Sequence, residues 1–296
     1  MYPFRIIGIH TRRGSAYDDK GLPLEVGLGE PARSVEEFLA RARPDVAIEI
    51  TTLNPETGEP AISHIRAAFE RGIHVITANK GPIANAYASL CEQARKVQSE
   101  FRFESTVMDG APVFNNFRNN LPGVKLLGFT GVLNSTSKVV VAAMERGGTM
   151  QDGIAEAQAM GVAEADAFYD VDGWDSAAKT AALANVLMDG RVTPKEVVRS
   201  GLRDLTAEQV RGYARAGLTV LLVSRATRRE NGSLQLQVRA EAIPQNDLLA
   251  AARGTSNLLL FHTDVMGTIG TLSINPGVEQ TAYGLFSDLV DIARSV

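Results

Sequence analysis

Cysteine is nearly missing from this chain. Cys91 is the only one in 296 residues, so no internal disulfide can form and no thiol cluster is available for zinc. A reducing cytoplasm fits that usage. Long apolar runs are missing too: Leu218 to Val223 and Leu258 to Phe261 are far too short to span a bilayer, and the N-terminus carries no signal-peptide pattern. A soluble protein without a membrane partner is expected. There is no excess of positive charge, since 30 Lys and Arg face 34 Asp and Glu for a net charge of -4, and nucleic acid is therefore not an expected partner. No internal repeat or low-complexity linker is present. A usable phosphate loop is also lacking. The one G-x-G-x-x-[GA] match is Gly27-Leu28-Gly29-Glu30-Pro31-Ala32, where Pro23 weakens any preceding strand and the next helix starts only near Ser34.

What remains is ordinary globular material, 45% hydrophobic and 22% charged, of a length that suits two domains or one large one. Phe4 to His10 reads as a buried strand ending in the polar Thr11-Arg12-Arg13-Gly14 turn. Ser34-Val35-Glu36-Glu37 is a capping box for a helix to Ala42, and Val46 to Ile50 is a strand. Glu59 to Arg71 carries Ile62, Ile65, Ala68 and Phe69 at helical spacing, stops at Gly72, and leads to the strand His74 to Thr77. A helix Ala84 to Val97 and a short strand Phe101 to Glu104 complete a parallel, doubly wound α/β pattern.

From Val124 the pattern changes. A strand to Val132, a polar turn Asn134 to Ser137 and a helix Lys138 to Arg146 precede helices at Asp152 to Met160 and Asp175 to Met188, and short helical pieces at Pro194 to Val198 and Ala207 to Val210. Strands at Leu218 to Ser224, Leu234 to Ala242 and Thr263 to Ile274 suggest a mostly antiparallel sheet in an α+β domain, and Thr281 to Ser295 is a final amphipathic helix. The expected division is 1–115 for an incomplete Rossmann-type nucleotide-binding domain, 116–274 for a substrate and dimerisation domain, and 275–296 for a helix returning to the first.

Glu164 to Lys179 is the densest chemistry in the chain, with Glu164, Asp166, Asp170, Asp172 and Asp175 followed by Lys179. Asp172 is a candidate N-cap, which puts Asp175 and Lys179 at i and i+4 on one helix face. Read alone, the pair suits either an acid and ammonium around a small polar substrate or a solvated surface ion pair.

Several separated segments decide the matter, because together they resemble homoserine dehydrogenase over nearly the whole chain. They are Thr77-Ala78-Asn79-Lys80-Gly81-Pro82, Gly131-Val132-Leu133-Asn134-Ser135-Thr136, and Ala157 to Glu164 followed by Asp170-Val171-Asp172-Gly173-Trp174-Asp175 and Lys179. The resemblance implies interconversion of aspartate 4-semialdehyde and homoserine with NADP or NAD, in amino-acid biosynthesis towards threonine and methionine. It implies Lys80, Asp175 and Lys179 as catalytic residues and Asn134, Thr136, Glu164 and Asp170 as substrate-binding residues. On the cofactor it implies Arg12, Arg13, Thr51, Thr52, Asn79, Lys80 and Gly277, with Arg12-Arg13 also suiting an NADP 2′-phosphate on physical grounds. Relatives also suggest a homodimer, and a sodium-type cation held near Glu104 and Val107.

The departures are specific. The family opens with a strand, a glycine-rich turn and a helix, whereas Met1 here sits where the second strand begins. Roughly 25 to 30 residues of that opening unit are therefore expected upstream in the gene. Val162 replaces a tyrosine, Met108-Asp109 replaces small residues in the cation loop, and Asn275 to Gln280 is a compressed form of the turn that closes over the nicotinamide. Two other readings stay open: a non-catalytic homologue that binds a small amino acid or only oligomerises, and an enzyme for a different semialdehyde-type substrate.

Overall fold

The computed structural model describes residues 3–163 and 167–295. Strand β1 (Gly8–Thr11) and strand β2 (Gly14–Tyr17) make an antiparallel hairpin, its turn held by Thr11 Oγ1, which accepts from the backbone N–H of Arg13 and Gly14. This corrects the expectation that Phe4 to His10 is the first strand of the parallel sheet. The cause is a close backbone approach: Gly14 packs so tightly on Leu28 and Gly29 that a Cβ would stand 2.5 Å from the Gly29 carbonyl. Gly29 and Ser15 then exchange backbone hydrogen bonds. The glycine-rich stretch therefore flanks the hairpin and opens no helix.

Helix α1 (Val35–Ala42) is capped by Ser34, which accepts from Glu37 N at 3.3 Å. The reciprocal half of the expected box is absent, because Glu37 reaches Arg33 N instead. Strand β3 (Val46–Glu49), helix α2 (Ala61–Phe69), strand β4 (His74–Thr77), helix α3 (Lys80–Lys96) and strand β5 (Phe101–Arg102) come next. They build a three-stranded parallel sheet in the order β3-β4-β5. The apolar positions of α2 are buried as their spacing requires. α3 begins at Lys80 rather than Ala84, since Asn79 Oδ1 caps it by accepting from Gly81 N at 3.0 Å and Pro82 is tolerated in a first turn. Lys80 is thereby fixed on a helix and not left in a loop.

The second half contains strand β6 (Leu126–Val132), helices α4 (Ser135–Glu145), α5 (Met150–Ala159), α6 (Phe168–Val171) and α7 (Trp174–Leu187), and strand β7 (Val198–Ser200). Helix α8 (Ala207–Arg215), strands β8 (Leu218–Arg228), β9 (Leu234–Pro244), β10 (Asn257–Thr263) and β11 (Thr268–Ser273), and helix α9 (Val278–Ser295) complete it. The sheet order is β11-β10-β6-β8-β9-β7, antiparallel except for the β7–β9 pair. Thr263 to Ile274 is not one strand: Thr263 bonds Gly267 and Met266 across a tight turn, and Gly267 at φ 63° closes a β10–β11 hairpin. The residues after Pro194 leave their 3-10 turn for β7.

α7 explains how the two halves meet. Ala177, Ala178, Ala181, Ala182 and Ala184 are all buried, and these short side chains let α3 approach closely. Asn185, also buried, donates to the Ile83 and Ala84 carbonyls in the first turn of α3. α9 packs on the segment after β5: Asp288 Oδ2 accepts from Glu104 N at 2.8 Å, and Ser105 Oγ donates to the Thr281 carbonyl at 2.8 Å. Among the described residues no helix is long and apolar enough to cross a membrane.

Candidate active site

Three helix starts converge. Lys80 is the first residue of α3, Asn134 caps α4, and Asp175 stands in the first turn of α7, one helical turn before Lys179. Asp175 Oδ1 pairs with Lys80 Nζ at 3.0 Å and its Oδ2 with Lys179 Nζ at 3.5 Å, all three side chains being largely buried. Lys179 Nζ also donates to the Leu133 carbonyl at 2.5 Å, just ahead of the α4 cap. Burial would raise the Asp175 carboxyl, but Lys179 and Lys80 outweigh it and hold the group well below the usual carboxylate range.

Asn134 joins this centre to a second carboxylate. Its Nδ2 donates to Asp170 Oδ1 at 2.7 Å and to Asp175 Oδ2 at 3.0 Å, while its Oδ1 accepts from Ser137 N at 2.7 Å. Burial, and then the charge on Asp175, raise Asp170 to about 6, with Asn134 pulling the other way. Both ends of the Asn134 amide are thus engaged within the protein. The residues expected as a polar turn, Ser135 to Ser137, are the first turn of α4, which is why Thr136 comes close to Asp170; Thr136 Oγ1 donates to the Val162 carbonyl at 2.8 Å. Gly173 at φ 80° precedes α7 in place of the expected cap Asp172, which instead faces Arg203 at 3.5 Å. Glu164 and Asp166 lie outside the described residues.

Four of the cofactor candidates, Thr51, Thr52, Asn79 and Lys80, follow the C-terminal ends of β3 and β4, where open α/β sheets take their ligands. Buried Glu49 accepts from Thr51 N, Thr51 Oγ1 and Thr77 Oγ1 at 2.5–2.8 Å and pins the ends of β3 and β4 together. Asn79 Nδ2 donates to the Thr51 carbonyl at 3.2 Å. Thr51 and Thr52 stay exposed at the end of β3. Arg12 and Arg13 are exposed on the β1–β2 turn, and Gly277 is exposed just before α9, its N–H donating to Gln280 Oε1. The Glu104 carboxylate accepts from Val113, Phe114 and Asn115 N–H groups at 2.5–2.9 Å, two on Oε1 and one on Oε2. Among the described residues no group of three or more His, Cys, Asp or Glu could hold a metal.

Comparison with known proteins places the chain in a family. The family model described as homoserine dehydrogenase matches residues 112–290, and that for the homoserine dehydrogenase NAD binding domain matches residues 2–104. The chain belongs to the homoserine dehydrogenase family. The NAD(+)-dependent homoserine dehydrogenase of Pseudomonas canavaninivorans is 37% identical over 251 residues, covering 85% of this chain and 71% of that protein. The homoserine dehydrogenase of Methanocaldococcus jannaschii is 31% identical, covering 99% and 90% respectively. Among solved structures, a candidate homoserine dehydrogenase from Archaeoglobus fulgidus superimposes with a TM-score of 0.85 at 29% identity, over 98% of this chain and 89% of that one.

Glu49, Asn185 and Lys138 were not singled out from the sequence. Each is a buried polar side chain, and only that burial sets it apart.

Proposed function

We propose that this chain interconverts aspartate 4-semialdehyde and homoserine, and that Lys80, Asp175 and Lys179 form the reaction centre. Family membership makes it an NAD(P)-dependent oxidoreductase of amino-acid biosynthesis acting on a small molecule. The observation that carries the reading is one carboxylate, Asp175, gripped by two lysines from different helices beside the strand ends that fit a nicotinamide. When bound, the nicotinamide supplies or accepts the hydride. In reduction the aldehyde oxygen gains negative charge, which an ammonium of Lys179 or Lys80 stabilises and then protonates; in oxidation a lysine takes the hydroxyl proton. Asp175 keeps both nitrogens in place. Asp170 receives the substrate ammonium with Glu164, and Thr136 lies along the substrate's backbone. Nothing in the cluster favours the non-catalytic alternative, because each proton-handling group is present and in contact.

The finer assignments are ours as well. Arg12 and Arg13 support an NADP 2′-phosphate contact; a loss confined to NADPH in an Arg12→Ala, Arg13→Ala double variant would bear this out. The division at 1–115, 116–274 and 275–296 follows the change of sheet and the packing of α9 on the Glu104 segment. A homodimer through the six-stranded sheet is supported by exposed Leu127, Leu272 and Ile274 on or beside its strands, and sedimentation tests it. A cytoplasmic site fits the single cysteine. The activity itself is read by mixing the purified chain with aspartate semialdehyde and NADPH or NADH and following the nicotinamide absorbance. Turnover needing all three components is expected; none with either cofactor would overturn the assignment.

A further inference from the structure

Lys138 lies in the first turn of α4, and only 6% of it is exposed. Its Nζ donates to the Ser256 carbonyl at 2.5 Å and to Asn257 Oδ1 at 3.3 Å. No carboxylate comes within ion-pair distance of it among the described residues. Three effects work against its charge: burial, the like charge of Lys179, and a position at a helix N-terminus, where cations are disfavoured. Against them stands Asp109, and the balance lowers the ammonium to about 7. A methionine would fill similar volume without these costs, so packing alone does not account for a lysine.

The oxygens it gathers lead to other segments. Asn257 Nδ2 donates to Asp109 Oδ2 at 3.3 Å, in the loop after Glu104, where Asp109 adopts φ 54°. Ser256 Oγ donates to Asn275 Oδ1 at 3.2 Å and accepts from Asn275 N at 3.1 Å, two residues before Gly277. Ser135 Oγ donates to the Thr255 carbonyl at 3.1 Å. One ammonium thus stands where the α4 turn beside the substrate acids, the start of β10, the Asp109 loop and the Asn275–Gly277 turn all meet.

We propose that Lys138 is a positioning residue: a tethered cation that draws together the oxygens of Ser256 and Asn257 and so sets the Asp109 loop and the Asn275–Gly277 turn against the substrate pocket. The proposal rests on reading Gly277 as cofactor-facing. Two variants test it. Lys138→Met keeps the bulk and removes the charge; losing a buried ammonium offsets leaving the Ser256 carbonyl and Asn257 Oδ1 without their donor, and a thermal melt checks that the variant is folded. Its kcat/KM for the nicotinamide cofactor should fall on the order of tenfold to a hundredfold, mainly through KM. In Lys138→Ala, added butylammonium should restore activity saturably and 1-butanol should not. Hydrogen exchange at amides 107–111 and 255–257 should speed up in Lys138→Met whether or not the chain turns over, which separates this proposal from the assigned reaction. Wild-type kcat/KM in Lys138→Met, unchanged exchange at those amides, or rescue by 1-butanol equal to that by butylammonium would each overturn it.

Discussion

Asn134 offers the sharpest test of the reaction centre because its two ends do separable jobs. The Oδ1 end caps α4 and the Nδ2 end holds Asp170 and Asp175 together. Asn134→Ser keeps a good cap, since serine and asparagine are nearly equivalent at that position, and removes only the two donors. Each donor makes a bond to a carboxylate of the kind worth about 1.5–3 kcal/mol. For Asp170 that is roughly one to two pKa units, at 1.36 kcal/mol per unit. The amide is one of the groups pulling Asp170 down, so its loss should move this carboxyl from about 6 to between about 7 and 8. The substrate ammonium needs Asp170 ionised. The acid limb of kcat/KM for homoserine should therefore move up by one to two pH units in Asn134→Ser, with activity recovering towards wild type near pH 9. The assay is a pH series at saturating cofactor with thermal melts in parallel. An acid limb at the wild-type position, or a uniform loss at every pH, would refute the idea that Asn134 acts through Asp170.

Three further outcomes are expected. Lys179→Ala should lower kcat by a factor on the order of a hundred to ten thousand, measured by nicotinamide absorbance, and undiminished turnover would remove Lys179 from proton handling. Asp175→Asn leaves two buried ammoniums side by side without their carboxylate and should cost about 3–5 kcal/mol in denaturant unfolding, whereas a loss under 1 kcal/mol would mean the pair is solvent-screened. Asp288 is buried against the Glu104 segment with Oδ1 unpartnered, and burial pushes its carboxyl up to about 7. Below about pH 4 it is protonated folded or unfolded and contributes nothing. Between there and pH 7 only the folded chain keeps the proton, so stability falls as pH rises. Asp288→Asn removes that dependence, and its advantage over wild type should grow by about 2–3 kcal/mol from pH 5 to pH 8; a constant difference would show that Asp288 is ionised when folded.

Much of the fold was legible because helices and strands of ordinary length carry their own period. The Ile62, Ile65, Ala68, Phe69 stripe and the strand at His74 came through intact. The misreadings share a cause. Phe4 to His10 is apolar enough for a sheet interior, but its pairing is set by Gly14 fitting against Gly29, which local pattern does not encode. Lys80 and the Ser135 to Ser137 turn looked like loop because polar and proline residues fill them, yet each begins a helix capped by an asparagine. The site was legible as a set of residue types through motif and spacing, and most of its members come from segments that the motifs mark.

By itself the sequence determined the residue kinds, the i and i+4 placement of Asp175 and Lys179, and the family to which the motifs belong. Only the tertiary structure decided that Lys80 reaches the same carboxylate from another helix, that Asn134 is spent on Asp170 and Asp175, and that Glu104 accepts from three backbone donors. It alone showed Lys138 to be buried. Spacing along a chain fixes neighbours one turn apart, whereas contacts between α3, α4 and α7 depend on how closely an alanine face lets helices approach, and that is a property of the packed whole.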